Sequence, residues 1–423
     1  MDRRKLSWLF IAAAGAFIHV GTAVLRLSTF FPYPRLLDFS GFYASAWAMR
    51  LGLEPYDVPA TLIERLRSTA GLSLRPPPIF NPPIWPCVLQ PFTALRFPAA
   101  AWAWLLVNGA LILWSTHALA QVAGVTGRRA RVATLIAVIT FGPVFLDLTL
   151  GQTSTLLLAM ALVVGRALPR HAPRSDVAGA LAVALATGAK LYPLVWLGGL
   201  FPLRRWRLVS LAFLATAIGF GLVYVAAPAA NQAYWFDQLP ARVTRATERA
   251  SVDDQSLVAW LDRMGRAQQF GTSGLTVTED QPVTWDPPWE ISAATLRWAG
   301  YSLLAVLALA VLSAIWRSGP AQIEGAFYLW LLFTLLLFPH TERYNHTLIL
   351  PAMAWLWGRN ERGRVVVAVA YGLAGLSRLT HAWVLLLPAP WAPLATGFGI
   401  MAVLLLTAGM MYDLRGARLP RIF

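Results

Sequence analysis

Asp38 lies in Leu36-Leu37-Asp38-Phe39-Ser40-Gly41-Phe42-Tyr43, a short polar interruption just past the first long apolar stretch of the chain. A carboxylate held at a membrane surface beside aromatic and small residues is suited to take a proton from a hydroxyl of a lipid-anchored substrate. Asp is also a favoured helix N-cap, and a helix starting near Ser40 would use it that way. The two roles are compatible, because a capping residue can still present its carboxylate to a cleft. Tyr43, on the same stretch, is a candidate for contact with a sugar or an acceptor.

Cationic partners for such a base can be read from scarcity and crowding. Only two of the 35 basic residues are lysines, Lys5 and Lys190, so a lysine kept inside the apolar run Lys190-Leu191-Tyr192-Pro193 stands out. Its compact ammonium suits a phosphate oxygen, although a helix-end lysine can also simply snorkel to the headgroups. His340, Glu342, Arg343, Tyr344 and His346 fall within seven residues, more polar groups than an interfacial anchor needs. Arg343 and a protonated His340 or His346 would stabilise a departing phosphate through charge-assisted hydrogen bonds.

The neutral candidates are weaker individually. Gly151 permits a tight turn, and Gln152 after it can bond sugar hydroxyls or cap helix carbonyls. Asn81-Pro82-Pro83 reads as a helix opener, since Pro is tolerated in a first turn, with Asn81 as a further ligand candidate. Asp254 and Gln255, in Asp254-Gln255-Ser256-Leu257, join Glu342 and Tyr344 as candidates for sugar or acceptor contact. Arg242, Arg245 and Arg249 recur at helical spacing and read as a solvated face. Two histidines six apart with one Glu match no zinc spacing, and Asp253-Asp254 lacks the further carboxylates of a calcium loop. No metal or cofactor is therefore expected. His19 is a lone histidine in an apolar span and reads as packing.

The elements that must position these residues follow from composition. The chain of 423 residues is 57% hydrophobic and 13% charged with 19 Trp, and its mean hydropathy is +0.56. A soluble globular domain carries about twice that charge. Continuous apolar runs such as 302–315 and 327–338 fit helices, whereas barrel strands would alternate. The expectation is an all-α polytopic membrane protein. Its net charge of +15 comes from short clusters between apolar segments: Arg3-Arg4-Lys5, Arg128-Arg129-Arg131, Arg170 with Arg174, Arg204-Arg205-Arg207, Arg359 with Arg362 and Arg364, and Arg415 onwards. These read as cytoplasmic loop charge rather than a nucleic-acid footprint. Cys87 is the single cysteine and says nothing about redox compartment.

Placing every basic cluster inside yields about twelve crossings with both ends cytoplasmic. Residues 6–26 form a retained first span. Residues 27–80 form an external first loop carrying an amphipathic surface helix, and 82–95 form a half-span. One span over 131–150 and short ones near 153–169, 176–189 and 191–203 follow. Residues 1–227 form an N-terminal transmembrane module, 228–292 an external loop and 293–423 the C-terminal helices, all one integrated membrane domain. Every polar candidate then lands on the outer side, and a single outward-facing site is the economical explanation.

Six short motifs occur in chain order. They are Asp38-Phe39 with Gly52 and Pro55-Tyr56; Asn81-Pro82-Pro83; Gly151-Gln152; Lys190 to Pro193 with Arg204-Arg205-Trp206-Arg207; Asp254-Gln255-Ser256-Leu257; and His340 before Tyr344 and Pro351. The set, spanning residues 30–355, resembles the GT-C fold glycosyltransferases of the GT87 group, which are similar to polyprenyl-phosphate-mannose-dependent mannosyltransferases. The resemblance implies a multi-pass enzyme of the cytoplasmic membrane with its active site facing the extracytoplasmic side. It implies Asp38 as catalytic base and His340, or His346, near the donor phosphate. Asp254 stands where many family members carry Asn.

The implied reaction moves a sugar, mannose by family association, from a polyprenyl phosphate to a glycolipid or glycan acceptor with inversion. Such a donor lacks a diphosphate, so no metal is obligatory. The expected partners are the donor, the acceptor and membrane lipids, with no nucleic acid and a monomeric chain. A pentose such as arabinose would need only altered hydroxyl contacts. A lipid-linked-sugar transporter or flippase would instead show mid-membrane ionisable groups and an internal repeat, neither of which is legible.

Overall fold

The computed structural model describes residues 3–241, 254–265, 268–270, 283–285, 291–338, 341–379 and 394–416. Helices dominate, and among the described residues the only strands are the three-residue antiparallel pair Gln268–Phe270 and Val283–Trp285. Among the described residues six helical segments are long and apolar enough to cross a membrane: Phe10–Phe30, Phe97–Val122, Trp206–Ala226, Ala293–Arg317, Pro320–Leu337 and Phe398–Arg415. A seventh crossing results if Arg128–Thr140 and Gly142–Leu150, bent by 57°, count as one. The bend falls where Pro143, second in the later helix, lacks the N–H a continuous helix would require.

Among the described residues, length and composition alone support six or seven of the twelve crossings expected. Ser154–Ala167, Pro173–Ala189 and Glu361–Leu376 are shorter than the roughly twenty residues a perpendicular span takes. Residues 82–95 form Ile84–Leu89 and a 3₁₀ turn, Gln90–Ala94, which is too short to cross.

The Leu37–Arg50 helix departs from the sequence expectation. It is not an amphipathic surface helix, because ten of its fourteen residues are buried. Phe39 stacks on Trp104 at 5.5 Å, and Tyr43 meets Phe97 edge-on. Small and aromatic residues surround this helix on all sides, and a helix apolar all round is driven inside. Ile323–Leu337, with thirteen of fifteen residues buried, occupies the bundle centre for the same reason. Arg3–Arg26 lies against Glu361–Leu376, where a Cβ on Gly15 would come within 2.2 Å of the Gly372 Cα. Such small-residue contacts are how helices approach closely in lipid. His19 bridges elements, accepting from Gly142 N at Nδ1 (2.9 Å) and meeting the Tyr371 carbonyl at Nε2 (3.1 Å).

Chain direction sorts the loops into two ends. Ser154–Ala167 begins, and Pro173–Ala189 finishes, at the end that carries Gln152 and Lys190. At the opposite end the Leu168 carbonyl accepts from Arg205, whose guanidinium also pairs with Asp176. Arg205 is therefore not free loop charge: it is 5% exposed and neutralised inside the fold. Gly358 packs on the Ala123 backbone at that end too. The clusters at Arg128, Arg170, Arg204 and Arg359 thus share one end, and Asp38 sits at the other.

Candidate active site

A cavity of about 370 Å³ opens at the end opposite the arginines. Asp38, Asn81, Gln152, Lys190, Glu342, Tyr344 and Asn345 form its polar wall. Phe42, the Pro77-Pro78 strip, Tyr192, Tyr234 and Phe338 form much of the apolar one. Six of the twelve residues singled out by type and spacing thus line one space, although the outermost two, Asp38 and Tyr344, are 306 positions apart in sequence.

Asp38 is not an N-cap. The helix begins at Leu37, its cap is Leu36 at φ 35°, and Asp38 lies in the first turn, where a carboxylate is favoured by the helix dipole. Gln152 Nε2 donates to Asp38 Oδ2 at 2.7 Å. Gly151 makes that contact possible. Its φ of +73° suits glycine, and a Cβ there would lie 2.7 Å from Phe39 Cβ and 2.9 Å from Leu36 Cβ. Trp104, stacked on Phe39, donates to the Gly151 carbonyl at 3.0 Å. Asp147 sets the turn from below. Its carbonyl accepts from Gly151 N and Gln152 N, and its fully buried carboxylate accepts from Ser154 N at 2.7 Å, Thr155 N at 3.0 Å and Thr155 Oγ1 at 2.7 Å. The start of the next helix is thereby capped and Gln152 is held towards Asp38.

Burial pushes the Asp38 carboxyl up to about 6; the Gln152 hydrogen bond and Lys190 pull against that rise, while Glu342 and Asp147 add to it. The result is a half-buried carboxylate that is ionised at neutral pH yet more basic than an ordinary aspartate.

Lys190 ends the Pro173–Ala189 helix in extended backbone. Its Nζ donates to Asn345 Oδ1 at 3.2 Å and sits 4.4 Å from the centre of the Tyr344 ring. Asn81 lines the cavity but uses its amide as a tether: Nδ2 donates to the Ala189 carbonyl at 2.6 Å, satisfying a helix-end acceptor, and its own carbonyl accepts from Tyr56.

Five expected site residues stand elsewhere. Tyr43 is fully buried, with its hydroxyl on the Leu95 carbonyl at 2.7 Å. Asp254 and Gln255 lie behind the cavity and clamp its wall. Asp254 Oδ1 accepts from Ser256 N and Thr341 N, Gln255 N donates to the Thr341 carbonyl at 2.6 Å, and Asp254 forms a β-bridge with Glu342. This clamp fixes the segment carrying Glu342, Tyr344 and Asn345. Arg343 reaches the Ser377 carbonyl, and His346 is buried against Gly399. Neither lines the cavity. His340, with Arg242, Arg245 and Arg249, lies outside the described residues.

Among the described residues, then, the cavity holds one cation, Lys190, and two carboxylates, Asp38 and Glu342, rather than a cationic cluster. Sequence reasoning missed Asp147, Asn345 and Tyr192. Asp147 had a usable signal, because a carboxylate inside an apolar helix is costly and needs a function. Asn345 and the Tyr192 hydroxyl, which has no hydrogen-bond partner among the described residues, are recognisable only once the cavity exists. Among those residues no three His, Cys, Asp or Glu side chains gather as metal ligands.

The model of glycosyltransferase family 87 matches residues 80–339, more than half of the chain. The chain belongs to glycosyltransferase family 87. No curated protein and no solved structure matches it. This family 87 glycosyltransferase is thus an enzyme built on membrane-crossing helices. The match contains Asn81, Gln152 and Lys190, whereas Asp38 lies before it and Glu342, Tyr344 and Asn345 after it. The cavity that joins these segments brings carboxylates, a cation and an apolar wall together in one place.

Proposed function

We propose that the protein transfers a sugar, mannose by family resemblance, from a polyprenyl-phosphate donor to a hydroxyl of a glycolipid or glycan acceptor at the outer face of the cytoplasmic membrane. The observation that carries this reading is Asp38 on the cavity wall, oriented by Gln152 at 2.7 Å and raised to about 6, with Lys190 lining the same space.

Asp38 takes the acceptor hydroxyl proton as that oxygen bonds to the anomeric carbon. The bond from that carbon to the phosphate oxygen breaks, its electron pair leaves with the polyprenyl phosphate, and the configuration inverts. The Lys190 ammonium offsets charge growing on the departing phosphate. Asn345 holds that ammonium through Oδ1, which leaves its amide nitrogen as a further donor. Glu342 keeps the Asp38 proton affinity high. The apolar wall of Phe42, Tyr192, Tyr234 and Phe338 accommodates the first prenyl units and the sugar faces.

The test uses the purified full-length protein with a panel of polyprenyl-phosphate sugars, scored by mass change of candidate acceptors. Transfer from one donor, lost in Asp38→Asn while donor binding persists, is expected. Unchanged turnover of that variant, or uptake of donor into proteoliposomes without any transfer, would refute the assignment.

A further inference from the structure

A second cavity, of about 420 Å³, lies at the arginine-rich end between Phe97–Val122 and Arg128–Thr140. Leu113, Ala120, Val132 and Leu135 form its apolar flank; Thr116, His117, Arg128 and Arg131 supply the polar groups. The proposed reaction uses none of them. We infer that this crevice holds an anionic phospholipid, with its phosphate at Arg128 and Arg131 and its acyl region against Leu113, Val132 and Leu135.

Four observations converge on that ligand. Arg128 and Arg131 are three apart on one helix and so share a face. Both are exposed, and neither guanidinium makes a hydrogen bond or ion pair among the described residues. They stand in the first turn of a thirteen-residue helix whose N-cap is Gly127 and whose first turn has no acidic residue. Its leading N–H groups therefore add to the positive field.

Thr116 supplies the independent indication. It is 6% exposed and lines the cavity, yet its Oγ1 has no hydrogen-bond partner among the described residues. Thr134, Thr140 and Thr407 bond the carbonyl four residues back, whereas Thr116, like Thr187 and Thr216, makes no such bond among the described residues. A buried hydroxyl left without that bond is costly unless a ligand oxygen meets it. Leu113 and Val132 are 58% and 48% exposed, so the crevice opens sideways, towards lipid. The connection 123–127 joins two apolar segments and so lies at a membrane edge, where a basic pocket between helices meets phospholipid headgroups.

The test is native mass spectrometry of delipidated full-length protein titrated separately with phosphatidylglycerol, phosphatidylcholine and inorganic phosphate. One tightly retained phosphatidylglycerol is expected. Arg128→Gln with Arg131→Gln should weaken it roughly 25-fold, the product of two interfacial arginines at about fivefold each. Arg170→Gln with Arg174→Gln, an equal charge loss at the same end, should change it less than about threefold. Thr116→Val, nearly isosteric, should weaken retention several-fold without altering transfer activity, and reports on the site even where the double variant folds poorly. Equal retention of phosphatidylcholine, equal losses in the two double variants, or displacement of the lipid by millimolar phosphate would overturn the inference, the last in favour of a soluble anion.

Discussion

At the arginine-rich end, Asp176 lies against Arg205 with both side chains under a tenth exposed, and the same guanidinium donates to the Leu168 carbonyl. At the cavity end, the partner of Asp38 is a neutral amide, Gln152, and a second carboxylate, Glu342, lines the same space. One end closes its charge inside the protein and the other keeps a carboxylate incompletely compensated. A charge already matched by a guanidinium has little left to offer a substrate. A carboxylate held by an amide keeps a lone pair and a raised proton affinity for a hydroxyl that arrives later.

The sharpest break of that comparison is Asp38→Asn. Sugar transfer should fall by about 10²–10⁴ in kcat, the usual contribution of a general base. Its folded-state proton affinity is raised, so ionised Asp38 lowers stability at pH 7; the Asn variant should therefore melt slightly higher there. That gain should vanish as the pH falls below about 4, where the carboxyl is protonated whether the chain is folded or not. Thermal unfolding across pH reads both signs, and a variant that melts lower at pH 7 would mean that Asp38 supports the fold.

Arg205→Leu should have the reverse profile. It strands Asp176 inside the protein and should cost about 3–5 kcal/mol of stability, while specific activity of the folded fraction changes less than about twofold. Fluorescence-detected unfolding in detergent, paired with the transfer assay, separates the two. Lys190→Gln should lower kcat/KM for the phosphate donor by roughly 10–100-fold, about 1.4–2.7 kcal/mol of lost charge interaction. A loss confined to the acceptor KM would remove Lys190 from the donor side.

The smallest effect is also the most specific. In the wild type, kcat/KM should fall tenfold per pH unit below about 6, as Asp38 protonates. Gln152→Leu removes a hydrogen bond that favours the carboxylate, so the acidic limb should move to higher pH. Glu342→Gln removes a like charge, so the limb should move to lower pH. A limb indifferent to both would belong to another group.

The polar candidates that converge show how much was legible. Asp38, Gln152, Lys190 and Glu342 sit beside long apolar runs, and the arginine clusters alone sort them onto one side. Tyr43 and the Asp254-Gln255 pair look the same in sequence, but they work from behind the cavity, because whether a polar side chain faces a cleft or braces its wall depends on neighbours 52 residues away for Tyr43 and 87 for Asp254. Arg343 and His346 are each next in sequence to a lining position and still turn elsewhere, since each step along the 3₁₀ turn Arg343–Ile349 rotates the side chain by about 120°. The expected amphipathic helix failed for a related reason: the Leu37–Arg50 pattern is compatible with a surface until 84–94 and Trp104 cover it.

By itself the sequence determined the membrane class and the segregation of arginines from the polar motifs, and it singled out Asp38 as a candidate, because hydropathy, loop charge and the cost of a carboxylate near lipid are local properties. Only the tertiary structure decided that Gln152 is the group touching Asp38, that Asp147 positions it, that Arg205 is a buried partner of Asp176, and that Asn345 and Tyr192 belong to the cavity. Those depend on contacts between separate segments, 29 residues apart for Asp176 and Arg205 and 114 for Asp38 and Gln152, or on a turn such as Gly151 whose close approach to Leu36 and Phe39 exists only after the helices have packed.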